Sequence, residues 1–424
     1  MNQPDVQETL RERLSAPSVV AALVLCLALR LAYGLAPRAG QADLPVHLDD
    51  WGNVAVHLLN GRGFSLDGET PSAIRVPAFP LALAAFYRIF GVSRITVVLF
   101  QSLMDTLTGL LMAGLAYRLG LSRQATVFGL LVWAVYFPHL YYTNVAMSEP
   151  FFTAWLMLAL WFLARRPGPS MPEMVGSSAA LAVAALTRSV VLLFLPAVLA
   201  LRWHDRWRGD LKRRVTYALV FCAVLAPWAL RNHARFGSFV WSTTLGGLTA
   251  YITVYRIAEP DYVTSWHVNC AEGVSALETE LRARGMDPAQ MNEVECDRWA
   301  RKLVREKVQA HPFRFIRLGI ESFMRTMFCV YNFGFHSWRN AAVFGLNTFI
   351  YGLAILGFVK RVRAAGAWDR RWVLLILLVA INTAGYSVVG GMSRYNNPMI
   401  PIFLLAAGAG LTALTARSAA REGR

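Results

Sequence analysis

The residues with the clearest capacity for chemistry are carboxylates and arginines that stand beside apolar segments. Asp49 and Asp50 open a short amphipathic stretch that ends near Gly61. Two interpretations fit this pair. The carboxylates cap a helix and favour its positive end, or one of them is a general base, which must come within hydrogen-bond reach of an acceptor proton. The spacing leaves both interpretations open.

Arginines recur at the ends of apolar segments. They are Arg75 in PSAIRVPAFP, Arg188 in AALTRSVVLL, Arg231 with Asn232 in PWALRNHARF, and Arg394 with Tyr395 in GGMSRYNNP. Such an arginine can snorkel, with its charge in the headgroup region, or it can hold a lipid-linked phosphate through two parallel hydrogen bonds. Arginines that converge would form an anion pocket.

Two further charged residues are explained by purely structural roles. Glu149 stands between Ser148 and Pro150, which suits the first turn of a helix, so an ordinary helix cap explains it. Arg30 lies inside the first apolar segment, near its external end, and most simply snorkels.

The chain that carries these residues is too apolar for a soluble fold. Of its 424 residues, 56% are hydrophobic and 16% are charged, and the mean hydropathy is +0.41. The net charge is +16, but the basic residues lie mostly between apolar segments, where they orient spans and meet anionic lipids. We therefore expect membrane lipids as partners and no nucleic acid. Five cysteines without a C-x-x-C pair exclude a disulfide scaffold, although Cys270 and Cys296 could form one disulfide or remain buried thiols.

We predict an all-α polytopic membrane protein with about ten transmembrane helices, because a span needs roughly 20 apolar residues. The predicted spans are Ser18–Ala36, Ile95–Tyr117, Ala125–Tyr142, Pro150–Ala164, Val175–Leu186, Val190–Leu201, Val215–Leu230, Ala341–Val359, Trp372–Val389 and Met399–Ala416. The arginine-rich connections then fall on one side, which the positive-inside rule makes cytoplasmic. The residues with chemical capacity fall on the opposite side.

The chain divides into three predicted parts. Residues 1–231 form a transmembrane catalytic module that includes the first external loop, 37–94. Residues 232–340 form an external loop with interfacial helices, and residues 341–424 form the C-terminal transmembrane helices. Pro77–Phe90 is predicted to lie in the interface rather than to cross. A small amphipathic cap begins at Asp287 and ends at His311, and a headgroup-level helix follows over Phe313–Val330.

The order of the short motifs resembles that of bacterial GT-C glycosyltransferases, especially the relatives of protein mannosyltransferases and aminoarabinose transferases. The motifs are an acidic first loop, A-x-x-L-L-x-G-R-G-F (Ala55 to Phe64), R-x-P-x-x-P (Arg75 to Pro80), S-E-P (Ser148 to Pro150), L-T-R (Leu186 to Arg188), P-W-x-x-R-N (Pro227 to Asn232) and R-Y-x-x-P (Arg394 to Pro398). The resemblance spans residues 18 to 412.

This resemblance implies an enzyme of the bacterial inner membrane with its site facing the periplasm or exterior. It would move a hexosyl or pentosyl group, usually with inversion, from a polyprenyl-phosphate donor to a lipid, glycan or protein acceptor. No cofactor is expected, while a divalent metal stays open because the sequence has no convincing ligand cluster.

The resemblance also implies residue roles. Asp49 or Asp50 would be the base or would position the acceptor, and Glu149 would shape the pocket. Arg75 matches the cation beside the interfacial helix, and Arg188 and Arg231 would contact the donor phosphate. Relatives place the acid several residues before an aromatic, whereas here both aspartates directly precede the next aromatic; which carboxylate acts is left open.

Two other function classes compete with this interpretation. A transporter or flippase of lipid-linked saccharides would also be basic and polytopic, but transporters often have inverted repeats and charges near the bilayer midplane. A non-catalytic scaffold would need no acids beside arginines. Transfer of sugar from a polyprenyl-phosphate donor by the purified protein would separate the enzyme from both.

Overall fold

The computed structural model describes residues 8–36, 50–165, 168–201, 207–259, 261–262, 266–328, 338–364 and 369–422. Within these ranges the regular elements are helices and short 3₁₀ turns, and the β pairing is one isolated bridge between Ser65 and Pro71. The predicted all-α fold class is confirmed. Asp49, the first of the two candidate bases, lies outside the described residues.

Eighteen α-helices follow one another along the described chain. They are α1 (Leu10–Ser15), α2 (Pro17–Leu35), α3 (Trp51–Leu59), α4 (Ala78–Phe90), α5 (Arg94–Arg118), α6 (Arg123–Val135), α7 (Phe137–Tyr142), α8 (Glu149–Leu163), α9 (Met171–Ala185), α10 (Leu195–Ala200), α11 (Trp207–Phe236), α12 (Gly246–Val254), α13 (Trp266–Ala283), α14 (Glu293–Ala310), α15 (Pro312–Phe328), α16 (Trp338–Ala364), α17 (Arg370–Val388) and α18 (Ile400–Glu422). Short 3₁₀ segments over Ser189–Phe194 and Ser393–Met399 precede α10 and α18.

Five of these helices are long and apolar enough to cross a membrane: α2, α5, most of α11, most of α16, and α17. Other predicted spans correspond to shorter apolar helices, among them α6 and α8. The predicted α4 helix is present with nearly the predicted bounds. The count of ten spans, and with it the direction of each helix, stays a prediction.

The helices form a bundle with α5 near its centre. Helix α5 packs against α2, α6 and α8, while α9 lies between α8 and α11, and α16 pairs with α18. Helices α16 and α18 approach closely at Gly357 and Gly410, because glycine has no side chain there; a Cβ at either position would collide with the backbone of the opposite helix. Small residues permit such contacts where apolar burial alone does not drive helix association.

A charged network lies inside this bundle. The Arg30 side chain is fully buried, and its Nε donates a hydrogen bond of 2.8 Å to Asp105 on α5. The other oxygen of that carboxylate lies 3.2 Å from His139 Nδ1, and His139 Nε2 lies 3.1 Å from the carbonyl oxygen of Asn397. The snorkelling prediction for Arg30 is wrong, because a buried arginine that has a carboxylate partner has no need to reach the headgroups.

The first loop forms the compact pair of helices α3 and α4. Trp51, Val54 and Ala55 are buried, and α3 packs against α4. The apolar face of α3 therefore contacts protein. Gly61 follows α3 with φ of +72°, a conformation that glycine adopts at no steric cost.

Helices α12, α13 and α14 pack into a small cap that contains the predicted amphipathic helix, and its position outside the membrane stays a prediction. Its main helix is capped by Asn292, whose side chain accepts backbone hydrogen bonds, while Asp287 instead caps a 3₁₀ turn over Pro288–Gln290. Ala300 and Leu303 of α14 are buried against α12 and α13, as the apolar pattern predicts. Cys296 is a free thiol, so the structure contains no Cys270–Cys296 disulfide.

One acidic side chain ties the cap together. Glu280 on α13 accepts a 2.7 Å hydrogen bond from the Tyr251 hydroxyl and lies 3.1 Å from Lys307 Nζ on α14. Burial alone would raise the pKa of Glu280, but these hydrogen bonds and the positive charges of Lys307 and Arg284 outweigh burial and lower that pKa below its usual value.

Helix α15 is amphipathic, as predicted. Phe313, Ile316 and Ile320 are exposed on one side, whereas Leu318 and Ser322 are buried on the other. Helix α15 packs against α17 and against the 3₁₀ segment over Ser393–Met399. Its exposed apolar face suits contact with lipid, and its placement at headgroup level stays a prediction.

Candidate active site

A buried ion pair lies at the start of α8. Glu149 is fully buried, and its Oε1 accepts a 2.6 Å hydrogen bond from Arg188 Nη2. Arg394 Nε lies 3.8 Å from the same oxygen, and Glu149 Oε2 has no hydrogen-bond partner within the described part of the chain. Ser148 makes no capping hydrogen bond. The interpretation of this segment as an ordinary helix cap is therefore wrong, because the carboxylate is the counter-ion of two arginines.

Aromatic rings hold the two arginines in place. Tyr386 and Tyr395 stack with their ring centres 4.2 Å apart. The Arg188 guanidinium lies 5.4 Å from the Tyr395 ring centre, and the Arg394 guanidinium lies 5.5 Å from it. A cation over an aromatic face is attracted by the ring quadrupole. Both guanidinium groups therefore lie within reach of one tyrosine ring.

A second acid and arginine face this cluster from the first loop. Asp50 stands directly before α3 with φ of +62° and makes no side-chain cap, so the capping interpretation is wrong for this residue. Its carboxylate, 52% exposed, lies 3.7 Å from Arg75 Nη2. The Arg75 guanidinium lies 5.4 Å from the Trp51 ring centre. Asp50 is therefore accessible to a substrate and paired only loosely.

The arginines and aromatic residues of these clusters line one cavity of about 550 Å³, while Glu149 and Asp50 are outside its lining and contact arginines that belong to it. Four arginines line it, namely Arg75, Arg188, Arg301 and Arg394, together with Trp51, Tyr386 and Tyr395. The first loop, the segment after α9, the end of α17, the start of the last 3₁₀ segment and the cap helix α14 all contribute to its walls. The remaining lining is largely aliphatic, including Leu192 and Leu193. An apolar cavity with clustered guanidinium groups suits an anion that carries a long hydrocarbon chain.

Two predicted site residues lie elsewhere. Arg231 does not line this cavity; its Nη1 and Nη2 donate to the carbonyl oxygens of Ser72 and Phe64 at 2.8 and 3.0 Å. Asn232 is fully buried and donates to the carbonyl oxygen of Val240. Arg231 thus joins the end of α11 to the first loop, and Asn232 joins it to the segment after α11. Both residues support the site from outside the cavity.

Sequence reasoning missed two groups that line the cavity. Arg301 belongs to α14, more than 200 residues from Arg75 in the chain, and pairs with Asp297 at 2.7 Å. Tyr386 lies on α17 and accepts a long 3.4 Å contact from Arg188. A tyrosine or a cap arginine gives no local signal, since only the fold brings it to the site. The described residues contain no group of three or more His, Cys, Asp or Glu side chains that could hold a metal ion.

Comparison with known proteins adds to this geometry. Residues 72–230 match the family model for dolichyl-phosphate-mannose-protein mannosyltransferases. The solved structure of the Archaeoglobus fulgidus oligosaccharyltransferase with a tethered acceptor peptide superposes with a TM-score of 0.57 at 12% identity, covering 95% of this chain and 50% of that one. The chain shares the fold of the matched part of that oligosaccharyltransferase. The predicted resemblance to GT-C glycosyltransferases is confirmed, and the chain spans about half the length of that oligosaccharyltransferase.

Two further structures are similar. The archaeal oligosaccharyltransferase AglB from Archaeoglobus fulgidus, in complex with an inhibitory peptide and a dolichol-phosphate, matches with a TM-score of 0.57 at 13% identity, over 95% of this chain and 51% of that one. ArnT from Cupriavidus metallidurans, bound to undecaprenyl phosphate, matches with a TM-score of 0.40 at 14% identity, over 93% of this chain and 77% of that one. No curated protein matches significantly in sequence. These comparisons establish the fold and a family match over residues 72–230, and five of the described helices are long and apolar enough to cross a membrane.

Proposed function

We propose that this chain transfers a sugar from a polyprenyl-phosphate donor to an acceptor on the non-cytoplasmic face of the membrane. The observation that carries the proposal is the convergence of Arg75, Arg188 and Arg394 on one cavity with a largely aliphatic remainder. The matched family model is named for a dolichyl-phosphate sugar, and AglB has been solved with dolichol-phosphate. Both support a lipid phosphate as the anion.

The arginines would act on the leaving group. As the bond between the anomeric carbon and the phosphate oxygen breaks, the phosphate gains negative charge, and fixed guanidinium groups stabilise that charge without reorganisation. Glu149, buried behind Arg188 and Arg394, would offset part of the positive charge when the donor is absent. The contacts with Glu149 therefore orient both guanidinium groups towards the cavity.

The aspartates of the first loop would act on the acceptor. The acceptor's nucleophilic oxygen attacks the anomeric carbon, its proton passes to a carboxylate, and polyprenyl phosphate leaves. Asp50 is exposed and lies 3.7 Å from Arg75, which lines the cavity, and this suits a base that must meet an incoming hydroxyl. Asp49, its chain neighbour, keeps the same candidacy. A single displacement of this kind inverts the anomeric configuration.

Turnover by the purified protein tests the proposal. The full chain in lipid nanodiscs would be given a panel of polyprenyl-phosphate hexoses and pentoses, and release of polyprenyl phosphate would be followed by mass spectrometry. We expect consumption of at least one donor, and a loss of ~10²- to 10³-fold in kcat/KM for Arg394→Ala, the scale for one transition-state contact. Arg256→Ala, on the exposed cap surface, is the matched control. No consumption of any donor would refute the proposal.

The side of the membrane needs its own test. Single cysteines introduced as Asp50→Cys and Arg298→Cys into a cysteine-free chain would be treated with a membrane-impermeant maleimide in intact cells. The proposal expects both to be labelled before lysis. Labelling of either position only after lysis contradicts a non-cytoplasmic site.

A further inference from the structure

A second cavity opens beside the arginine cavity. It has a volume of about 330 Å³ and lies between the segment after α11 and the cap helix α14. Ser242, Thr243 and Arg301 line both cavities. The Thr243 hydroxyl donates to the carbonyl oxygen of Ile74, the residue before Arg75. A ligand in the second cavity would therefore lie next to the reacting region but outside the arginine cavity.

One wall of the second cavity is an exposed aromatic surface. The Phe239 ring stacks on His233 with centres 4.3 Å apart and planes 4° from parallel. Trp241 lies nearly parallel to Phe239, with ring centres 6.5 Å apart, and is 47% exposed. Among the described residues, the Trp241 indole N–H donates no hydrogen bond, so this donor is available to a ligand. Flat aromatic faces with a polar edge suit the C–H face and hydroxyl rim of a sugar ring.

Both walls supply polar groups, Ser242 beside Trp241 and Arg298 on α14. Ser242 is only 8% exposed, yet its Oγ has no hydrogen-bond partner within the described ranges. A buried hydroxyl without a partner costs free energy, which a bound ligand would recover. Arg298 is exposed and makes no ion pair or hydrogen bond with the described residues, while Asp297 pairs with Arg301 at 2.7 Å. Guanidinium forks and hydroxyls are donors that match the oxygens of a carbohydrate.

We propose that this second cavity is an acceptor subsite for a carbohydrate, with Trp241 and Phe239 as the stacking surface and Ser242 and Arg298 as hydrogen-bond partners. The inference rests on the proposed transfer reaction, because it assigns a glycan as the acceptor. A sugar ring held there would extend one hydroxyl past Thr243 towards Asp50 and the donor. Transfer would then form a glycosidic bond while the bond between the donor's anomeric carbon and the phosphate oxygen breaks, so that polyprenyl phosphate leaves and the hydroxyl proton goes to the aspartate.

Direct binding tests the subsite without turnover. The full chain in nanodiscs would be examined by saturation-transfer difference NMR with glucose, mannose, galactose, N-acetylglucosamine and glucuronate as probes. We expect at least one probe to receive saturation, and Trp241→Ala and Ser242→Ala to reduce the signal at least fivefold. Trp241→Phe should retain most of it, since the aromatic face remains. Phe313→Ala, which removes an aromatic residue that is 85% exposed on α15, is the matched control and should change nothing.

The outcomes separate this inference from the proposed function. Saccharide binding that depends on Trp241 supports the subsite even where no donor is consumed. Donor consumption together with wild-type acceptor KM in Trp241→Ala and Ser242→Ala overturns the subsite and leaves the transferase intact. Absence of saturation transfer to every probe also overturns it, as does binding that is equally strong in Trp241→Ala, which would indicate that the aromatic residues only anchor the chain at the membrane interface.

Discussion

The buried pair of Glu149 and Arg188 allows the contribution of charge to folding to be separated from its contribution to chemistry. Replacing Arg188 by Met leaves a fully buried carboxylate whose remaining cation, Arg394, is 3.8 Å away. Removal of one partner from a buried pair costs ~3–5 kcal/mol. Because Arg394 still offsets part of the charge, we expect the lower end, about 3 kcal/mol in the free energy of unfolding.

A second substitution should restore most of that stability. In Arg188→Met with Glu149→Gln, the buried carboxylate is gone together with its nearest partner, and only the 3.8 Å contact of Arg394 is lost in addition, so we expect a recovery of about 2 kcal/mol relative to Arg188→Met alone. Unfolding would be followed by tryptophan fluorescence as SDS is added to the detergent-solubilised protein. Arg256→Met, which breaks an exposed pair with Glu259, should change little, since exposed pairs are screened by solvent.

Activity should not follow stability. If Arg188 contacts the donor phosphate, the double variant stays ~10²- to 10³-fold below wild type in kcat/KM, as expected on loss of one transition-state donor. A double variant that regains wild-type turnover would make Arg188 a structural residue only. A double variant no more stable than Arg188→Met would refute the ion-pair reasoning itself.

Three further predictions follow from other parts of the molecule. Asp50→Asn should lower kcat by ~10²- to 10⁴-fold at unchanged unfolding midpoint, because its exposed carboxylate supplies a base and little stability; normal turnover would remove it from the reaction. The lowered pKa of Glu280 means that its ionised form stabilises the cap above about pH 4.3, and this contribution is lost as pH falls through the lowered value; Glu280→Gln should flatten that acid dependence of cap proteolysis, and an unchanged profile would contradict it. Gly247→Ala should destabilise the cap by ~1–3 kcal/mol, because its Cβ would meet the α14 backbone, whereas Gly345→Ala has open space; equal protease resistance in both would show that the cap accommodates the methyl group.

Local patterns predicted the elements well where each element buries its own apolar face. The α14 face that contains Ala300 and Leu303 is buried as its spacing indicates, and α4 forms at its predicted bounds. The start of α14 shifted because Asn292 with Glu295 makes a full capping box, whereas Asp287 caps only a short turn. Such competition between neighbouring caps is settled by side-chain geometry that the sequence does not display.

Partners distant in sequence were harder to predict. Arg188 and Glu149 were each marked as candidates, but their 2.6 Å contact depends on how α8 meets the segment after α9. Arg30 was misjudged because its partner, Asp105, is 75 residues away. A lone aspartate in the middle of an apolar helix is itself a signal that a cation lies nearby. Arg231 and Arg188 both stand at the end of an apolar segment, so the sequence does not distinguish them. Only the fold shows that Arg188 lines the cavity and that Arg231 binds the first loop.

The Arg30–Asp105 contact has a consequence for how the chain enters the bilayer during synthesis. An arginine in an isolated span costs up to ~2.5–3.5 kcal/mol in translocon-mediated insertion, the full amount applying at the helix centre and less towards the end, where Arg30 lies. The neutralising carboxylate is not yet made when the first span leaves the ribosome, since it follows 75 residues later. Helix α2 therefore gains its full preference for hydrocarbon only when α5 is present. We expect the two helices to move together from the translocon into the lipid.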